Sequence, residues 1–377
     1  MKTDKDLREL ALLFLRLGST AFGGPAVHIS MFEDEFVNRR TWMNHEHFLD
    51  LAGTTNLIPG PNSTEMAMHI GRERAGWKGM IVAGICFILP AVLITFILAW
   101  LYSKYGALPE VEPYIYGIKP AVLAIILRAV IPLGRKAVKS TTLAVLGAVA
   151  LAACLEGIND IMVMLGAGLL ALILTVQRNK TETDTSLRSW LIASVPVPSF
   201  TLAALTGGTV FLLFLKIGVI WFGSGYVLFG LLDNELVTRG LLNRLQLLDA
   251  IAVGQITPGP LFSSVTFVGW QMKGLTGALM ATAGILLPAV LFVGLLNPLI
   301  PKIRSSKAFS AFLDAVNVAS VAVIVAVMLV MGKETLTGWR TVLIALVSLI
   351  LVFSFKKINS VFILSGSAAL GYLLSLI

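Results

Sequence analysis

Charged residues are scarce in this sequence. Only 13% of its 377 residues are Asp, Glu, Lys or Arg, whereas 56% are hydrophobic, and the mean hydropathy is +0.86. Soluble domains carry about 25% charged residues, so the composition excludes a soluble protein and indicates an integral membrane protein. Two cysteines, Cys86 and Cys154, are too few for a disulfide framework or a cysteine metal site. The chain also lacks a soluble basic domain that would bind nucleic acid.

What the sequence does contain is a series of long apolar runs. They lie at about 79–102, 116–133, 141–155 and 160–176, and again at about 277–300, 315–332, 341–355 and 360–377. A helix needs about 20 residues to cross the bilayer, and most of these runs approach that length. We therefore predict an all-α polytopic membrane protein. The charged start, MKTDKDLREL, has no signal-peptide cleavage pattern, which favours a cytoplasmic N-terminus.

The chain repeats itself at a spacing of 198 to 200 residues. Asp50 recurs as Asp249, and the PGP motif at 59–61 recurs at 258–260. The LPAVL motif at 89–93 recurs at 287–291. Chance similarity between apolar segments would not keep rare Pro and Asp residues in register, so we infer an internal duplication. The predicted domains are a first repeat at 1–176, a linker with a connecting helix at 177–209, and a second repeat at 210–377.

Charge placement predicts that the two copies are inverted. Basic loops stay in the cytoplasm, and in the first copy these loops contain Arg72, Arg74 and Arg135. In the second copy the basic loops, at 302–307 and 356–357, follow runs whose first-copy counterparts end outside. Two tandem repeats of opposite topology therefore follow. The apolar stretch from 190 to about 209 is a candidate for the extra crossing that inversion needs, and its prolines, Pro196 and Pro198, leave the number of crossings open.

Each copy also interrupts its apolar sequence twice with glycine and proline. The motif FGGP at 22–25 pairs with FGSG at 222–225, and the two PGP motifs form the second pair. Such breaks at membrane depth line a polar site in inverted-repeat transporters, where helix N-termini face the ligand. After Pro61, the residues Asn62, Ser63 and Thr64 are predicted to cap a helix whose free amides bind an anion. The alternative is that these residues only kink packed helices.

A basic residue precedes the first break of each copy. Arg16 and Lys216 occupy equivalent positions within apolar segments, where a charge costs about 2.5–3.5 kcal/mol. Their recurrence predicts two cations near an oxyanion, although snorkelling to the lipid headgroups is an alternative.

Other polar residues give weaker indications. Glu65 and His69 are neighbours on one helix face and either relay a proton, orient the site or form a plain polar face. His28 follows the first break and is expected to face the cavity. A metal site at His45 and His47 lacks the zinc-helix spacing. An intramembrane hydrolase built on Ser224 lacks an identifiable His and acid, which leaves an enzyme as the least favoured function class.

Several of these motifs resemble the chromate ion transporter family. They are FGGPAVHI at 22–29, RRTWMNHEHFLDL at 39–51 and IPGPNSTEMAMHIGRERAGWKG at 58–79, with QITPGP at 255–260 in the second copy. The resemblance covers nearly the whole chain and points to the long, two-domain form. The second copy departs from it in having Ser224 where the family usually has glycine.

The resemblance implies fused halves of opposite topology that export chromate across the inner membrane and so confer chromate resistance. The N-terminus would be cytoplasmic and the C-terminus outside. Sulfate, another anion or a lipid phosphate are alternative substrates; a homodimer is compatible with the sequence, and we predict no metal and no cofactor. The residues predicted to bind the anion are Arg16, Gly23, Gly24, Pro25, His28, Gly60, Pro61, Asn62, Ser63, Thr64, Glu65, Lys216, Gly223, Ser224, Gly225, Tyr226, Gln255, Gly259 and Pro260.

Overall fold

The fold is known from a computed structural model that describes residues 4–106, 108–178, 205–295, 306–355 and 358–376, and these ranges are helical without a β-strand. The first half contains α1 (Asp4–Thr20), α2 (Pro25–Glu33), α3 (His45–Thr55), α4 (Asn62–Tyr105), α5 (Glu112–Ala137), α6 (Thr141–Leu155) and α7 (Asp160–Arg178). The second half contains α8 (Gly207–Ile220), α9 (Val227–Leu232), α10 (Arg244–Ile256), α11 (Ser264–Leu295), α12 (Lys307–Thr335), α13 (Trp339–Ser354) and α14 (Ser360–Ser375).

The element order of the first half recurs in the second. A π-helical turn follows the second helix of each half, at Asp34–Arg39 and at Asp233–Val237. The fourth helix of each half bends at equivalent places, at Ala75-Gly76 and at Lys273-Gly274. The predicted all-α fold with tandem repeats is confirmed. Most of the predicted connecting helix at 190–209 lies outside the described residues.

The bend in α4 turns this helix into a hairpin. A Cβ placed on Gly71 would lie 2.3 Å from the carbonyl oxygen of Gly79, although a straight helix would separate these residues by about 12 Å along its axis. Residues 62–74 therefore form a short arm that packs back against a long arm at 77–105. In α11, Thr266 and Thr282 share a hydrogen bond of 2.8 Å across the equivalent bend. Glycines at the crossing allow the two backbones to approach this closely.

The short arm also forms a hairpin with the helix that precedes it. His47, near the start of α3, lies 2.6 Å from the carboxylate of Glu73, near the end of the short arm. The two helices are therefore antiparallel, with the PGP motif at the tip. Helix α1 forms a second hairpin with α2 and the π-helical turn that follows it, and FGGP lies at the tip. In this hairpin Phe14 stacks on Phe36 of the π-helical turn, with ring centroids 5.5 Å apart. The predicted re-entrant segments at Gly/Pro motifs are confirmed.

Both hairpins of the first half open at the same end of the molecule. There, Arg74 contacts Asp6 at 3.2 Å and Glu9 at 3.6 Å, and Arg40 also pairs with Glu9. We call this end the first face. In the second half, the ion pairs of Arg244 with Asp233 and Glu334 mark the equivalent end, which we call the second face.

The long arms of α4 and α11 run in opposite directions. Arg72, beside the bend of α4, donates hydrogen bonds to the carbonyls of Val293 and Gly294 at the far end of α11, the second at 2.9 Å. At the other end, Phe96 of α4 meets Trp270, beside the bend of α11, with ring centroids 4.9 Å apart. Each arm therefore begins where the other ends. These contacts confirm the predicted opposite orientation of the halves.

The remaining helices interlock the two halves. Helix α5 packs against α13 and α14, and α12 packs reciprocally against α6 and α7. Within the described ranges, four helical segments are long and apolar enough to cross a membrane, at 62–105, 112–137, 261–295 and 307–335. Five shorter apolar helices accompany them.

We expect reporter fusions after Thr183 and at the C-terminus to report opposite compartments. Asn159, at the start of α7, bonds to Asn234 on the second face, so α7 runs back to the first face and towards Thr183, which is outside the described ranges. At the other terminus, Tyr372 of α14 stacks on Tyr114, near the second-face end of α5, with ring centroids 4.8 Å apart. Matching reports from both fusions would contradict the inverted fold.

The glycine crossing in α4 gives a second prediction. Gly71→Val would force apart the two arms, and overpacking of this kind costs about 1–3 kcal/mol, so we expect a lower melting temperature in detergent. Gly166→Val in α7 is the matched control, because a Cβ there meets nothing within 4 Å. Equal melting temperatures for the two variants would show that the arms are not packed as described.

Candidate functional site

The four helix breaks meet between the two halves. The amide of Gly60 donates a 2.8 Å hydrogen bond to the carbonyl of Trp221, and the amide of Gly259 donates a 2.7 Å bond to that of Ala21. Each PGP tip is therefore hydrogen-bonded to the opposite half. The acceptor is the residue that directly follows the first helix of that half and precedes its first break. The structure thus brings together the predicted segments at 23–25, 60–65, 223–225 and 259–260.

The tips leave room only for glycine at the PGP centres. Gly60 has φ 142° and Gly259 has φ 95°, a region that side chains disfavour. A Cβ on Gly259 would lie 3.0 Å from the Cβ of Ala91, and one on Gly60 would lie 3.3 Å from that of Ala289, which is the repeat-related residue. The two tips therefore approach the opposite halves in the same way.

The short arm of α4 begins directly after the first PGP motif, as predicted. The side chains of Asn62, Ser63 and Thr64, however, do not cap this helix. The cap position belongs to Pro61, whose carbonyl accepts from the amides of Thr64 and Glu65 at 2.8 and 3.0 Å. Among the described residues, the amides of Asn62 and Ser63 have no acceptor. The helix thus presents two free N–H groups and its positive dipole end at the meeting point of the breaks.

Instead of capping, Asn62 and Ser63 join neighbouring breaks. His28 is fully buried; its Nδ1 lies 3.0 Å from the hydroxyl of Ser63, and its Nε2 lies 3.1 Å from the carbonyl of Ala21. Because a carbonyl only accepts, Nε2 carries the proton and Nδ1 accepts from Ser63. The Nδ2 of Asn62 donates to the Oδ1 of Asn56 at 2.7 Å, and the other terminal atom of the Asn62 amide group lies 3.1 Å from the carbonyl oxygen of Gly223 in the second half.

Two further side chains at this tip are buried without partners. The hydroxyl of Thr64 and both carboxylate oxygens of Glu65 have no hydrogen-bond partner within the described part of the chain. Native proteins satisfy most buried polar groups, so such atoms call for an explanation in terms of a ligand, an ion or a proton.

The second half does not reproduce this chemistry. The residues equivalent to His28, Asn62 and Ser63 are Leu228, Leu261 and Phe262. At the FGSG break, the Ser224 hydroxyl accepts from the Tyr226 amide at 3.4 Å, and Gln255 donates to the Tyr226 hydroxyl at 3.0 Å. The backbone frame of the site is symmetric, whereas its polar side chains come mainly from the first half.

The two predicted cations are each bound to a glutamate. Arg16 contacts Glu35 at 2.6 Å, and Lys216 contacts Glu235 at 2.7 Å. Both glutamates lie in the π-helical turns, and both bind a second arginine, Arg40 or Arg239. Sequence reasoning missed these carboxylates, although applying the 200-residue spacing to Glu35 finds Glu235.

A different ion pair, between α5 and α10, links the two halves near the C-terminal end of α4. The hydroxyl of Tyr102 donates to the carboxylate of Asp249 at 2.7 Å, and the ammonium group of Lys119 lies 3.5 Å from that carboxylate. The sequence identified Asp249 as part of the repeat, but nothing in it indicated that Lys119 and Tyr102 are its partners.

The histidines considered for a metal site pair with glutamates instead. His45 lies 2.8 Å from Glu33, and His47 pairs with Glu73.

The Glu35 cluster predicts a pH-dependent stability. Burial opposes the charged form of Glu35, but Arg40 and Arg16 outweigh burial and lower the pKa of this carboxyl from its ordinary value of 4.5. A lowered pKa stabilises the fold above the ordinary pKa, and this contribution is lost as the pH falls below it. We expect Glu35→Gln to destabilise the protein at pH 7 by about 1.5–3 kcal/mol, with a smaller difference from wild type in acid.

Thermal unfolding of both proteins across a pH series measures this effect. Asp34→Asn is the control, because Asp34 is 51% exposed in its pair with Arg39 and such surface pairs contribute little. A Glu35→Gln deficit that stayed constant down to strongly acidic pH would rule out the ion pairs as its source.

Comparison with known proteins agrees with this architecture. The profile of a family described as "Chromate transporter" matches residues 8–172 and again 208–372. The chromate transport protein of Cupriavidus metallidurans is 30% identical over 97% of this chain and 92% of its own length. A probable chromate transport protein of Synechococcus elongatus is 29% identical over 91% of this chain and 89% of its own. An uncharacterized transporter of Methanocaldococcus jannaschii is 25% identical over 96% of the chain and 92% of its own length.

No solved structure matches this chain. The family profile, however, covers each half from α1 to α7 and from α8 to α14, and so includes all four breaks. This protein is a multi-pass membrane protein that belongs to the chromate transporter family.

Proposed function

We propose that this protein exports chromate, or a similar tetrahedral dianion such as sulfate, from the cytoplasm and so confers chromate resistance. The observation that carries the proposal is the meeting of the four breaks around the N-terminus of the α4 short arm. There, the free amides of Asn62 and Ser63 and the hydroxyl of Thr64 offer hydrogen-bond donors to an oxyanion. The halves at 1–176 and 210–377, joined by the linker at 177–209, act as one transport unit.

The charge distribution supports a cytoplasmic first face. Arg72, Arg74 and Arg135 lie at this face, where the positive-inside rule places basic residues. The N-terminus would then be cytoplasmic and the C-terminus outside, in the plasma membrane. Expelling a dianion from a negative-inside cell is favoured by about 2.3 kcal/mol per charge per 100 mV, hence about 4.6 kcal/mol for two charges.

Counterflow of labelled chromate in proteoliposomes tests the function directly. We expect labelled chromate to accumulate in vesicles preloaded with unlabelled chromate, and sulfate to compete better than phosphate. If the chromate recovered from the vesicles is chemically unchanged, the protein transports chromate and does not convert it. Absence of counterflow in vesicles that contain folded protein would refute the proposal, and competition by phosphate alone would point to another anion.

Arg16 provides a prediction at the level of one residue. It lies one turn before the end of α1 at Thr20, which leads into the first break, so we expect Arg16→Ala to reduce chromate export to a small fraction of the wild-type rate. Arg16→Lys should retain part of it, because the point charge survives and the second half carries Lys216 at this position. Arg39→Ala is the matched control, since Arg39 pairs with Asp34 on the surface and is 67% exposed.

The double variant Arg16→Ala, Glu35→Gln separates two roles of this charge. If Arg16 acts on the anion, removing Glu35 as well leaves export low. Wild-type export in the double variant at normal membrane abundance would mean that Arg16 only neutralises Glu35.

A further inference from the structure

Glu65 occupies an unusual place in the site. It lies in the first turn of α4, its exposed fraction is 0%, and neither carboxylate oxygen has a hydrogen-bond partner in the described ranges. The carboxyl group packs directly against the PGP tip, because a Cβ on Gly60 would lie 2.2 Å from Oε1. Gly60 is also the residue whose amide binds Trp221 of the other half. A free carboxyl group therefore sits at the contact between the halves.

Most of the charged groups around Glu65 are engaged elsewhere. On the same helix, His69 follows one turn later with its Nε2 buried and without a partner in the described ranges, whereas Arg72 bonds to the end of α11. On α2, His28 bonds to Ser63 and Ala21. On the other packed elements, Arg16 of α1 is bound to Glu35, His47 of α3 is bound to Glu73, and α3 also carries Asp50. Further ion pairs at the open end of the hairpins join Asp6 and Glu9 to Arg74 and His45 to Glu33. In α10, Asp249 accepts from Tyr102, and the long arm of α11, residues 275–295, has no titratable side chain.

An ionised carboxyl group in this position would be unfavourable for two reasons. Burying an unpaired charge is costly, and a negative charge beside the free amides of Asn62 and Ser63 would repel a dianion. A proton on Glu65 removes both penalties. Proton binding and anion binding then favour each other, and this coupling is reciprocal by thermodynamic necessity.

We propose that Glu65 is a proton-binding site that couples proton movement to oxyanion transport. The proton is taken from cytoplasmic water by a Glu65 oxygen as the anion binds, and it returns to water on the other side as the anion leaves. The repeat-related residue is Ser264, so each transport unit carries one such proton. The transported complex of a dianion and a proton keeps a net charge of −1, so the membrane potential still drives it outwards.

This inference rests on the proposed function, and its test compares wild type with Glu65→Gln in proteoliposomes that contain a pH-sensitive dye. We expect chromate movement by the wild type to carry about one proton per anion. In Glu65→Gln, the chromate movement that remains should no longer carry a proton. Its chromate affinity should vary less with pH, whereas the wild-type affinity should fall as the pH rises. Chromate itself binds a proton near neutral pH, so the two proteins are compared at each pH.

Glu73→Gln is the matched control on the same short arm, because Glu73 pairs with His47 at the opposite end from the tip. It should keep the wild-type proton movement. Equal proton movement in wild type and Glu65→Gln, or chromate transport by the wild type without protons, would overturn the inference and leave the proposed function intact.

A spectroscopic measurement covers the case in which chromate transport fails or Glu65→Gln does not fold. Infrared spectra of the wild type and of Glu65→Asp should show the carbonyl stretch of a protonated, buried carboxylic acid at neutral pH, shifted between the two proteins. Absence of that band from the folded wild type would refute a protonated Glu65 whatever the transported anion is.

Discussion

The fold depends on satisfying backbone groups where helices break at membrane depth. Lipid offers no hydrogen bonds, so an interrupted helix needs protein partners for its exposed amides and carbonyls. Here the partners come from the other half: Gly60 donates to Trp221, and Gly259 donates to Ala21. Neither half completes its own PGP break. This constraint explains why the two copies are fused in opposite orientations, since inversion lets the tips of both sets of hairpins meet head to head.

Symmetry in the backbone coexists with asymmetry in the side chains. The helix order, the π-helical turns and the bends of α4 and α11 all recur. The buried polar residues at the tip do not recur. The residues equivalent to His28 and Glu65 in the second half are Leu228 and Ser264. A duplicated frame holds the breaks in place, and in the proposed function one half supplies the side chains for ligand and proton chemistry. A single site at the pseudo-twofold axis needs only one set of such side chains.

The sequence predicted the features that depend on rare residues. Pro and Gly marked the breaks, their spacing revealed the repeat, and loop charges gave the inversion. It did not predict that α4 is a hairpin, because Ala75-Gly76 interrupts the helix without a proline and the Gly71–Gly79 contact exists only after folding. It also predicted Arg16 as a cation near the anion without predicting its partner Glu35. The π-helical turn that brings Glu35 to Arg16 has no local sequence signal, and only comparison with Glu235 indicates its importance.

The position of the charges fits the needs of a transporter. A site must bind an anion well enough to admit it and weakly enough to release it. At the tips, the groups available are neutral amides and hydroxyls, whereas Arg16 and Lys216 lie along the hairpin stems, already paired with glutamates. Because both cations are paired, neither offers a free guanidinium or ammonium group that would hold a dianion tightly. In the proposed mechanism, the strongest single determinant of binding is then the charge state of Glu65, the one carboxyl group that the described structure leaves buried beside the first PGP tip without a partner.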